Sequence, residues 1–107
     1  VKIKKTIIIK MKYRASWNGE ILAESSEIKE IEGNKYFPQN SLNKQFFKET
    51  ETHTTCSWKG KASYFNIDVA GKTNKMAAWY YPNPTPLAKE IKDYVAFWKG
   101  VEITEEG

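Results

Sequence analysis

Cysteine is almost missing from this chain of 107 residues: Cys56 stands alone, so neither an intrachain disulfide nor a four-cysteine zinc cage can form. A free thiol of this kind fits a reducing compartment, and a cytoplasmic location is expected. Aspartate is scarce too. Asp68 and Asp93 are the only two, no D-x-D pair exists, and two-metal phosphoryl or nucleotidyl transfer needs clustered carboxylates to hold its cations. Each of the six glycines stands by itself, so no glycine-rich loop is available to cradle a phosphate. No apolar run approaches the roughly 20 residues that span a bilayer, and no cleavable leader pattern opens the chain. Neither an internal repeat nor a linker is visible. These absences lead to an expectation of no metal, no cofactor and no membrane.

Aromatic residues are plentiful. Four Trp, six Tyr and five Phe make up 14% of the chain, and each can bury roughly 150–250 Å². One domain of this length can therefore build a core without covalent staples. The net charge of +4 is unevenly placed: Lys2, Lys4, Lys5 and Lys10 carry all of it, and residues 11–107 hold 13 basic and 13 acidic side chains. A basic N-terminal arm, residues 1–12, is thus joined to a neutral body, residues 13–107. The arm reads as an added edge strand whose lysines discourage further pairing. Its alternative is an arm that binds RNA or an acidic partner; the neutral body argues against nucleic acid elsewhere.

The body reads as mainly β. Tyr13–Trp17, Asn18-Gly19 and Glu20–Ala23 form a hairpin signature, followed by a short strand at Glu27–Ile31 and a turn at Gly33-Asn34. A short helical turn is expected between Pro38 and Lys48, with Leu42 and Phe46 on one face. Thr50–Thr55 is read as extended. Trp58–Lys61 forms a tight turn into the strand Ala62–Val69, where Phe65, Ile67 and Val69 face the core and Tyr64, Asn66 and Asp68 the other side. Met76–Tyr81 is extended, the Pro82–Pro86 segment is a rigid loop, and Thr85-Pro86 opens a two-turn helix carrying Leu87, Ile91 and Tyr94. Strands at Val95–Trp98 and Val101–Ile103 precede a frayed tail.

The segments Trp17-Asn18-Gly19, Glu32-Gly33-Asn34-Lys35-Tyr36-Phe37-Pro38, THTTCSWKGKASYF, AAWYYPNPTP and DYVAFWKGVEI, in this order, resemble the DUF427 domain family, also called nucleotidyltransferase-like. The resemblance covers about nine-tenths of the chain, from Tyr13 to Ile103. Ser57 stands where proline is common in such domains. The resemblance implies the Mss4-like, or β-tent, architecture: a single small domain of twisted antiparallel sheets with one or two short helices. Fold analogy supplies no activity, and this chain's carboxylates do not match the nucleotidyltransferase label.

Three residue groups invite a functional reading. Cys56, with Lys59 and His53 nearby in sequence, is the candidate for a covalent enzyme, since a reactive thiolate needs a base or cation beside it. On an extended segment, however, His53 and Cys56 fall on opposite faces, and a structural cysteine is the plainer reading. The second group is Trp58, Tyr64, Trp79 and Tyr81, joined by Tyr36, with Lys59 at the lip. Aromatic walls and one cation suit a small planar or anionic ligand; the plainer reading is core. The third is the stiff Pro82–Pro86 loop, either a partner-docking element or a rigid connection. A binding module with an aromatic cleft, monomeric or weakly dimeric, is the leading expectation, with the Cys56 or Lys59 enzyme next.

Overall fold

Asn18 and Gly19 both take positive φ, 50° and 81°, as a two-residue hairpin turn with the right-handed strand twist requires. In the computed structural model, which describes residues 11–106, this turn joins β1 (Lys12–Trp17) to β2 (Glu20–Ser25). A short hairpin follows, β3 (Lys29–Ile31) and β4 (Asn34–Tyr36). Its turn residues are Glu32 and Gly33, at φ 54° and 80°, one position earlier than the Gly33-Asn34 expected. The remaining strands are β5 (Phe47–Cys56), β6 (Gly60–Val69), β7 (Lys72–Tyr80), β8 (Val95–Phe97) and β9 (Glu102–Glu106).

They form three antiparallel sheets, ordered β2-β1-β9, β3-β4 and β5-β6-β7-β8. The domain is therefore mainly β. Residues 1–10 of the basic arm lie outside the described residues; the arm's last position, Lys12, pairs with Glu106 as the start of β1.

Period-two alternation splits the four-stranded sheet into two chemically different faces. Phe65, Ile67 and Val69 of β6, Ala78 of β7, and Val95 and Phe97 of β8 pack with Ala15, Leu22 and Ala23 of the three-stranded sheet. This is the main core, and it includes the three residues that the β6 pattern points inward. The opposite face of the same sheet carries Ala62, Tyr81 and Ala96, which pack with Tyr36, Ala88 and Ile91 in a second cluster. Register shifts between Glu49 and His53 and between Phe65 and Ile67 mark irregularities at which the hairpins bend.

Three sequence expectations give way. The segment between Pro38 and Lys48 makes two separate 3-10 turns, Gln39–Ser41 and Lys44–Phe46. Leu42, between them, bridges Ala23 while the Asn43 amide donates to Leu22 O at 2.8 Å, so the chain must extend there to close the edge of β2. Pro86–Ile91 is likewise 3-10, without a side-chain cap from Thr85, and Leu87 is 81% exposed rather than packed. The C-terminal tail is a strand, because β9 pairs with β1 from Glu102 to Glu106.

Candidate functional site

The turn Ser57–Lys59 between β5 and β6 is held from above by the proline-rich loop. Thr85 N donates to Lys59 O at 3.0 Å, and the Thr85 hydroxyl donates to Trp58 O. Gly60, at φ 110°, sits with the backbone of Asn83 and Pro84 about 3.4–3.5 Å from where a Cβ would be. The stiff loop is thus a brace for this turn.

The brace fixes Trp58 and Lys59 beside the outer face of the four-stranded sheet. Tyr64 of β6 and Trp79 of β7 are direct cross-strand partners on that face. The Trp79 indole N–H donates to the Tyr36 hydroxyl at 3.3 Å, and the two rings meet edge to face at 6.2 Å. Tyr64 shares a 2.7 Å hydrogen bond with the Thr54 hydroxyl. The structure therefore brings together Tyr36, Trp58, Tyr64, Trp79 and Tyr81, all in or against the second cluster, with Cys56 packed there as well. Burial divides them. Tyr36 and Tyr81 are buried and form a floor, whereas Trp58, Tyr64 and Trp79 are only half-buried.

Lys59 is not at a solvated lip. Its side chain is 9% exposed, and its ammonium pairs with the Glu32 carboxylate, which is 53% exposed on the β3–β4 turn. The ammonium also lies 5.4 Å from the Trp58 ring centroid and 5.7 Å from that of Tyr81, within cation–π range. Burial pulls the Lys59 pKa down, but the Glu32 hydrogen bond and, once ionised at alkaline pH, Tyr36 and Tyr81 push it up, and it ends above the ordinary lysine value. Glu32 is held below the usual carboxylate range by its hydrogen bond and charge attraction to Lys59, with a smaller contribution from Trp58. Burial raises Tyr36 and Tyr81, and the Lys59 charge partly offsets this.

His53 is not brought to Cys56. Its Nδ1 lies 3.2 Å from the Ser63 hydroxyl and 3.3 Å from Ala62 O, and Ser63 precedes Phe65 on the main-core side by strand alternation. Asp68 accepts a hydrogen bond from Thr73 at 2.7 Å within the β6–β7 hairpin. Among the described residues no three His, Cys, Asp or Glu side chains are grouped as metal ligands, and no helix is long and apolar enough to cross a membrane. A broad groove of about 570 Å³ lies on the three-stranded sheet, bordered by Arg14, Trp17, Ile21 and Thr104; it contains none of the expected site residues.

Two neighbours of the aromatic group are absent from the sequence reading. Trp98, just past β8, is 47% exposed and meets Trp79 edge to face at 5.6 Å. A signal was present, since Trp98 follows Ala96 at strand spacing and Ala96 pairs with Trp79. Glu32 had none: it lies 27 residues from Lys59, on a different sheet.

No curated protein matches the chain. The chain matches the profile of a domain of unknown function, DUF427, over residues 8–107, which takes in every strand described above. It belongs to the DUF427 family.

Proposed function

We propose that the outer face of the four-stranded sheet binds a small planar ligand, stacked against Trp58, Tyr64 and Trp79. One observation carries this reading: three half-buried aromatic side chains are gathered over a floor of two buried tyrosines, held there by a loop that braces the adjacent turn. Rings used only for core packing lose most of their exposure. Rings that keep part of their surface in water while their polar edges are already bonded offer stacking area at little ordering cost. The Tyr64 hydroxyl on Thr54 and the Trp79 indole on Tyr36 are both fixed this way.

Binding suits these residues better than covalent turnover. His53 is engaged on the far side of the sheet from Cys56, and the Lys59 ammonium is charged and paired with Glu32, so it is no free nucleophile.

The test is titration of the full chain with 2-naphthamide, a neutral planar probe, followed through the tryptophan indole N–H signals by NMR. The Trp58 and Trp79 signals shift on binding. Trp17, which packs on the main core, serves as the internal control and stays in place. Tyr64→Leu weakens binding by about 1 kcal/mol, roughly fivefold, as expected for one aromatic partner. Equal movement of all tryptophans, or affinity indifferent to Tyr64, refutes the site.

A further inference from the structure

Lys59 is placed as a binding group would be, yet among the described residues its ionic partner is Glu32 of the same chain. Its side chain is nearly sequestered, while Glu32 approaches from an exposed turn with more than half of its own side chain in water. The two ends of this ion pair are thus held very differently. Lys59 is fixed by the braced Trp58–Gly60 turn. Glu32 sits in a two-residue turn, in which its backbone takes φ 54°; besides Lys59, the Trp58 side chain also hydrogen-bonds its carboxylate, and both bonds are given up when rotation about the Glu32 side-chain bonds carries the carboxylate into solvent. An ammonium this buried is costly to leave unpaired, so Glu32 departs only when another anion takes its place.

Resting on the planar-ligand reading above, we infer that the ligand is a planar anion, a carboxylate or an equivalent group, whose charge replaces the Glu32 carboxylate on Lys59 while its ring stacks on Trp58 and Tyr64. Glu32 is then a stand-in for the ligand's own charged group. The geometry supports exchange in two ways. Trp58 adjoins Lys59, and its ring centroid lies 5.4 Å from the ammonium, so one molecule can touch both the ring and the charge. The Tyr81 ring lies 5.7 Å from the same ammonium, and burial raises both Tyr36 and Tyr81 above the ordinary phenol value, so at neutral pH a ligand anion meets no second negative charge from them once Glu32 has turned away. The exchange also sets selectivity. A neutral planar molecule leaves the Lys59–Glu32 pair intact and gains only the stacking surface, whereas an anion must outcompete an internal carboxylate at high effective concentration.

The experiment pairs two near-isosteric probes, 2-naphthoate and 2-naphthamide, on the full chain and on Glu32→Gln and Lys59→Met, again by indole N–H titration. Glutamine keeps the shape and one acceptor for Lys59 but removes the competing charge. In Glu32→Gln, 2-naphthoate binds at least tenfold more tightly than in the natural chain, and 2-naphthamide changes less than twofold. In Lys59→Met the preference for the carboxylate disappears. Glu32→Asp, which keeps the charge on a shorter arm, falls between and confirms that reach rather than loss of fold is responsible. Equal effects of Glu32→Gln on both probes, or no effect on 2-naphthoate where 2-naphthamide binds, overturn the exchange and leave the stacking site standing. Failure of both probes to bind any form overturns the stacking site and the exchange together.

Discussion

Gly60 shows how one residue type decides whether the site exists. It stands at φ 110° between the turn that carries Lys59 and the strand that carries Tyr64, with the proline-rich loop against its α-carbon. Any side chain must accept a left-handed backbone there, and the expected cost of Gly60→Ala is about 1–3 kcal/mol. Chemical denaturation of the variant checks this; a loss below a few tenths of a kcal/mol would mean that the turn relaxes freely. Lys59, the next residue back, teaches the opposite lesson about sequence. Its proximity to the aromatic group was readable from its place in the chain, but its burial was not. Lys59 lies against Trp58, Tyr81 and Glu32, and the last of these is brought to it by the β3–β4 hairpin.

At the scale of elements, the strands with a clear period of two are those the sequence reveals. The inward set of β6 and the shared face of Trp79 and Tyr81 follow directly from alternation, and Asn18-Gly19 marks the first hairpin. The misread segments are those whose local signals serve a distant contact. Thr85-Pro86 has the form of a helix start, yet the Thr85 hydroxyl is turned toward Trp58 O, to which it donates, and it makes no cap on the segment, which is 3-10. Leu42 and Phe46 share a helical spacing, but Leu42 is drawn to Ala23. The Thr85 contact is open to a direct test. Thr85→Val keeps the shape and removes the donor, and is expected to cost about 1 kcal/mol; Thr85→Ser retains most of the stability. The half-exposed indole of Trp58 also reports the change, with its fluorescence shifting in Val but not in Ser. Equal stability of the two variants would show that packing of the loop, rather than this bond, holds the turn.

The whole molecule couples two cores through one sheet, and its charged and phenolic groups make that coupling depend on pH at both ends. Glu24 is held below its ordinary value of 4.5 by its hydrogen bond to Arg14, and Glu32 by that to Lys59. A carboxylate with a depressed folded pKa binds fewer protons folded than unfolded, so its contribution is complete above 4.5 and fades as pH falls through the folded value. Tyr36 and Tyr81 are displaced upward from 10.0, chiefly by burial, and Lys59 upward from 10.5. For a raised group the sign reverses. The folded state keeps protons that the unfolded chain gives up, so stability is whole below the unfolded value and is lost as pH climbs through the folded one. The urea midpoint is therefore expected to be flat from about pH 5 to 9 and to fall on both sides. Glu32→Gln shallows the acid limb, because one depressed carboxyl is removed, and Lys59→Met shallows the same limb, because it removes the partner that depresses Glu32. On the alkaline side the ultraviolet tyrosinate signal supplies an independent reading: part of it should appear only together with unfolding, contributed by the two floor phenols. Full ionisation of all six tyrosines while the strand circular dichroism is intact would place Tyr36 and Tyr81 in open water, and the proposed planar-ligand site would lose its floor.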